Sequence, residues 1–210
     1  MRLIRLFYEP QRVLTELQGA SCIPAIIALV GLSFITDMFL VRTAGADAVM
    51  LVPHPPGTAM GGLSRELVFY SLRALLLLVN LAGIVVVLYW ALSVTKGHAR
   101  IGIVVTVCSY AAYARGTLRM LVTVGAVSYG FLLHPPFAIV TNATVFLREP
   151  TTPKPLYFFA GLLDIPTVTF IVFTIAGFWK AVPGLRFQRA LSVVLGSWLL
   201  YAGLSYWAKR

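Results

Sequence analysis

The chain predicts an all-α fold, a polytopic transmembrane helix bundle, on three observations. Five apolar stretches, 23–41, 67–94, 101–125, 156–179 and 190–207, each approach or exceed the ~20 residues a helix needs to cross a hydrocarbon core about 30 Å thick. Hydrophobic residues make up 59% of the 210 and charged ones 11%, against about 25% charged in a soluble domain. The stretches also lack the strict apolar/polar alternation of membrane β-barrel strands. Backbone amides in lipid have no water to bond, so helices remain as the solution. Residues 1–210 therefore read as one membrane domain with five spans.

Residues 2–18 precede the first span. Leu3, Leu6, Phe7, Val13, Leu14 and Leu17 recur at helical spacing, with Arg2, Arg5, Arg12, Glu16 and Gln18 on other faces. Pro10 suits the first turn of a helix begun at Glu9, and Gly19 is a natural stop. The expectation is an amphipathic helix lying in the membrane interface; the alternative is a polar leader with chance periodicity. Glu9 and Pro10 break the N-terminal apolar run before it could form the core of a signal peptide, so the first span is expected to stay in the mature protein.

The net charge of +10 falls mainly in short loops and at span ends, where it sets topology and meets anionic lipid rather than nucleic acid. With the N-terminus inside, the inner segments hold eight basic residues, Arg2, Arg5, Arg12, Lys96, Arg100, Lys180, Arg186 and Arg189. The outer segments hold six, Arg42, Arg65, Arg148, Lys154, Lys209 and Arg210. The inner loops are also the shorter ones, which favours N-terminus in and C-terminus out.

Two long outer loops follow, about 43–65 and 126–155, each with a His-Pro-Pro run at His54–Pro56 and His134–Pro136. Such pairs read as rigid turns rather than metal ligands, and no metal or other cofactor is expected. Asn142-Ala143-Thr144 is a glycosylation sequon on the outer side. Within the third span Arg115, Gly116 and Arg119 interrupt the apolar run. One kinked helix is expected there, with a break at Gly116 as the alternative. Pro166 is expected to kink the fourth span, and Gly161, Ala176 and Gly177 to admit close helix approach.

Asp37, Arg73, Arg115, Arg119 and Asp164 lie inside the spans, in the middle or outer half of the bundle. A lone charge at mid-bilayer costs roughly 2.5–3.5 kcal/mol on insertion scales, so each calls for a partner or water. The expected pairs are Asp37 with Arg73, and Asp164 with Arg115 or Arg119. Such a network either fixes helix order or forms a polar cavity for an ion or lipid head group.

No zinc-protease helix, nucleophile elbow or phosphate-cradling glycine loop occurs. Arginines at matching depth would keep both aspartates ionised, against the shared proton an aspartyl protease needs. No enzyme is expected. Cys22 and Cys108 read as ordinary reduced thiols, with weakly signalled lipid attachment at Cys22 as the alternative.

Several motifs, in order, resemble the Yip1-domain family of five-span membrane proteins in its prokaryotic form. They are Leu6-Phe7-Tyr8-Glu9-Pro10-Gln11-Arg12-Val13-Leu14 at the opening, Lys96-Gly97-His98-Ala99 between spans two and three, and Cys108-Ser109-Tyr110-Ala111 in span three. Leu162-Leu163-Asp164-Ile165 in span four and Arg186-Phe187-Gln188-Arg189-Ala190 before the last span complete the set. Tyr113-Ala114-Arg115 stands where the family often has a proline. The resemblance implies a non-enzymatic protein of a prokaryotic cytoplasmic membrane that organises lipids, other membrane proteins or copies of itself. Eukaryotic members bind small prenylated GTPases through a long cytosolic tail; its expected absence, with that of their acidic Gly-Pro motif, puts that partner in doubt here. The second expectation is a small transporter, channel or lipid-handling protein acting through the polar network.

Overall fold

The computed structural model describes residues 2–44, 62–95, 99–128 and 152–208. Every regular element among them is a helix. In order they are α1 (Arg2–Tyr8), α2 (Pro10–Glu16), a 3-10 turn (Leu17–Gly19), α3 (Ile23–Ala44) and α4 (Gly62–Val94). There follow α5 (Ile101–Ser128), α6 (Lys154–Leu162), α7 (Ile165–Ala181) and α8 (Phe187–Ala208). Four of them, α3, α4, α5 and α8, are long and apolar enough to cross a membrane. Both histidine runs, the sequon and Lys96–His98 lie outside the described residues.

Two elements depart from the sequence expectations, each for a local reason, and a third settles an alternative. The helix expected over 2–18 is two helices and a 3-10 turn. Pro10 sits in the first turn of α2, and the residue before a proline is driven out of helical geometry; Glu9 accordingly has φ −129° and ψ 54°. The third span runs unbroken through Gly116, which excludes the break. The fourth does not merely kink. It ends at Leu162 and restarts at Ile165 as a 17-residue helix. Asp164 is the N-cap of that restart, its Oδ1 accepting from Thr167 N–H at 2.6 Å, with Pro166 in the first turn.

The core gathers around α5, which packs most extensively on α7 and then on α3. Val104, Val107, Cys108 and Ala114 are buried against Ile175 and Phe178 of α7 and Leu29 of α3. Gly177 makes the α5–α7 approach possible: a Cβ there would lie 2.6 Å from Val107 Cγ1. Buried hydroxyls are satisfied within their own helices, Ser109 donating to Val105 O at 2.7 Å and Thr174 to Phe170 O at 2.7 Å. Thr106 donates to Gly102 O and, across to the N-terminal segment, to Ala20 O at 3.3 Å.

Helices α1 and α2 cover the end of the bundle where α5 begins and α7 ends, hereafter the near end. Leu6, Val13, Leu14 and Leu17 are buried there, while Ile4, Phe7 and Tyr8 are exposed. Between the two helices Glu16 meets Arg2 at 3.3 Å and Arg5 at 3.4 Å, and Glu9 meets Arg5 at 3.2 Å. Desolvation raises the Glu16 carboxyl, but hydrogen bonds and charge from Arg2 and Arg5 outweigh it and hold the group below its ordinary value. Desolvation lowers Arg5 in turn, and its two glutamates outweigh that, leaving it raised.

Candidate functional site

Three helices turn one face each onto a common space. On α3 the face is Leu29, Ser33, Thr36 and Asp37; on α4 it includes Arg73, Leu77, Asn80 and Ile84. On α5 it is Ala112, Arg115, Gly116 and Arg119, and Phe170 of α7 adds a wall. All three sets recur at three- and four-residue steps, which puts each on one side of its helix. The cavity between them has a volume of about 260 Å³. Gly116 makes room for a leucine of α3: a Cβ there would lie 2.9 Å from Leu29 Cδ1.

Counting helical rise from the first residues of α3 and α5 puts Asp37 and Arg115 each about 21 Å along and Arg119 about 27 Å, with Arg73 within side-chain reach of Asp37. The charged wall therefore occupies the far half of the bundle.

Four of the five sequence-predicted residues line this cavity: Asp37, Arg73, Arg115 and Arg119. The expected Asp37–Arg73 pair is formed, with Arg73 Nη2 donating to Asp37 Oδ1 at 3.2 Å. The carboxylate is buried, 6% exposed, whereas the Arg73 side chain is 43% exposed and sits at the rim. Arg73 also lies 5.7 Å from the Phe69 ring centroid. The second expected pair is a correction. Asp164 is absent from the lining residues and its carboxylate caps α7, while among the described residues neither Arg115 nor Arg119 forms an ion pair.

Guanidiniums stay protonated at any working pH, so three of them against one carboxylate give the wall a surplus of two positive charges. Arg115 and Arg119, one turn apart on α5, carry that surplus. Neutral polar groups complete the lining. Asn80 and Ser33 offer amide and hydroxyl, whereas the Thr36 hydroxyl already donates to Leu32 O at 2.7 Å. A charge-based search passes over these three. Their signal is spacing, since Asn80 lies seven residues after Arg73, and Ser33 four before Asp37.

A second, smaller cavity of about 170 Å³ lies along the same pair of helices, lined by Val30, Ser33, Phe34, Asp37, Leu67, Tyr70, Ser71 and Ala74. Ser33 and Asp37 belong to both, so the Asp37–Arg73 bridge stands between a cationic chamber and a mainly apolar groove. Among the described residues no group of three or more His, Cys, Asp or Glu side chains gathers in metal-binding geometry.

No protein-family model, curated protein or solved structure matches this chain.

Proposed function

We propose that this chain is a non-enzymatic, five-crossing membrane protein that holds a phosphate-bearing anion in the α3–α4–α5 cavity. One observation carries the proposal: Arg115 and Arg119 face a chamber whose lining carboxylate, Asp37, is already bonded to Arg73. A planar guanidinium fork matches phosphate oxygens in two places, and a low-dielectric surround strengthens that match. An anion would relieve the cost of two unneutralised guanidiniums in the membrane, roughly 2.5–3.5 kcal/mol each at mid-bilayer.

On this reading α6 and α7 together make the fourth crossing, a rise of about 39 Å if laid end to end. The N-terminal pair lies in the inner interface of a prokaryotic cytoplasmic membrane. The motif order set out above supports a Yip1 type, in which the chain organises lipids or membrane partners instead of transforming a substrate. Holding is favoured over passage because the near half is filled with apolar side chains, Leu92, Val104, Val107 and Phe178 being fully buried. That half offers an ion no polar path among the described residues.

The check is thermal unfolding in detergent with sn-glycerol 3-phosphate. The wild type should melt several degrees higher at saturation, since a ligand at a hundred times its Kd adds about 2.7 kcal/mol. Arg115→Gln/Arg119→Gln should melt without responding. A wild type indifferent to the phosphate ester sinks the proposal.

A further inference from the structure

We infer that the anion is the head group of a glycerophospholipid bearing a phosphate monoester, and that one of its acyl chains lies in the groove between α3 and α4. The inference rests on the anion-holding function proposed above and names its ligand. A freely soluble phosphate would need only the cationic chamber. The geometry offers more.

The groove meets the chamber at Asp37 and continues past Val30, Phe34, Leu67, Tyr70 and Ala74, a lining suited to a hydrocarbon chain. Charge and apolar surface thus lie side by side along α3, meeting at Ser33 and Asp37, so a head group in the chamber has hydrocarbon-compatible surface within reach. Depth agrees. Arg119 lies six residues, a rise of about 9 Å, from the far end of the apolar stretch Ile101–Gly125, which puts it in the half of the core that the far leaflet fills. A lipid already in that leaflet could reach the arginines by a sideways step.

The side of approach is also marked. Leu76 lines the chamber and is 55% exposed, and Leu72 and Leu75, its neighbours on α4, are exposed as well. The chamber therefore opens on a surface that faces lipid. Arg73 stands on that rim, joined to Asp37 through one nitrogen at 3.2 Å, and the guanidinium has five N–H donors in all. The bridge can remain in place while Arg73 also meets an incoming phosphate.

The experiment places the full chain in phosphatidylcholine nanodiscs with a trace of phosphatidic acid carrying a diazirine on one acyl chain. Photolabel should concentrate on peptides spanning 30–34 and 67–74. Unlabelled phosphatidic acid should displace at least four-fifths of it, and the same amount of added phosphatidylcholine almost none. Ala74→Trp, which fills the groove, should cut this labelling at least fivefold and leave glycerol 3-phosphate binding unchanged. Should that variant not fold, the wild-type competition decides alone. Label spread evenly over the lipid-facing helices, or displaced equally by both lipids, overturns the inference. If glycerol 3-phosphate still binds in that case, the anion-holding function survives; if it does not, both fall.

Discussion

The α5–α7 contact and the α3–α4 seam are built on opposite plans. The first is dry and close: Gly177 lets Val107 against the α7 backbone, and Thr174, Ile175 and Phe178 are buried beside it. The second is sparse, with a cavity along the chamber side and another along the groove. Among the described residues it is bridged by the Asp37–Arg73 ion pair, by the Phe34 and Tyr70 rings, whose centroids are 4.8 Å apart, and by a small buried cluster of Val41, Phe69 and Tyr70. Water contributes no apolar driving force inside a bilayer, so cohesion between spans rests on close packing and polar bonds. The close contact supplies that cohesion. The sparse seam, relieved of it, keeps room for a ligand.

The sharpest way to break the comparison is to overfill the close contact. Gly177→Leu should prevent a stable bundle or cost about 3 kcal/mol or more, because Val107 is β-branched and has little freedom to move aside. Gly177→Ala should cost about 1–3 kcal/mol on the same ground. Gly83 is the control, with nothing within 4 Å of an added Cβ, and Gly83→Ala should leave the melting temperature unchanged or slightly higher. Tryptophan fluorescence during heating in detergent reads all three. Equal effects at the two glycines would remove the distinction on which the comparison stands.

The two aspartates sharpen it next. Asp37→Asn takes the counter-charge from Arg73 and leaves the chamber with three uncompensated guanidiniums. It should cost about 1–2 kcal/mol of stability, the scale of a polar contact between membrane helices. It should also tighten phosphate-ester binding about tenfold, since a nearby negative charge has been removed. Asp164→Ala should cost about 1 kcal/mol through the lost cap of α7 and leave ligand affinity within about twofold. Paired melting and titration of the two variants separates the roles. A loss of affinity in the Asp164 variant equal to that in Arg115→Gln/Arg119→Gln would return Asp164 to the site.

The same contrast explains what was legible in the sequence. Four of the five expected span positions follow from run length and composition, and the Asp37–Arg73 pair follows from matching depth. Depth alone cannot tell an interhelical charge from a helix start, so it did not reveal the cap that Asp164 makes. The local signal was present: Asp at one position, Pro two residues on and Thr three on is how a helix begins. Arg115, Gly116 and Arg119 suggested a possible break, yet α5 continues, because the guanidiniums face a cavity and have no need of unwound backbone. Ser33, Thr36 and Asn80 escaped notice because neutral polar groups carry little insertion penalty; only their register with the charged residues marks them. The groove was not legible at all, since space between helices depends on how α3 and α4 pack.

The smallest expected effect concerns the near end, where partly exposed ion pairs add to the buried leucines that hold α1 and α2 in place. Glu16 has its pKa below the ordinary 4.5 through Arg2 and Arg5, so its carboxylate stabilises the docked pair at pH values above 4.5. That contribution is lost as pH falls through the lowered folded value, and salt weakens it because the ion pairs are partly exposed. Cleavage between 17 and 22 by an acid-tolerant protease should therefore rise modestly from pH 6 to pH 3. Glu16→Gln should show the raised cleavage already at pH 6 and little further change. A phosphate ester itself gains a proton over this range, its second pKa being about 6, so its binding is compared between wild type and Glu16→Gln at each pH and should match. Phosphate-ester binding that differs between the two at the same pH would instead tie the two ends of the bundle together.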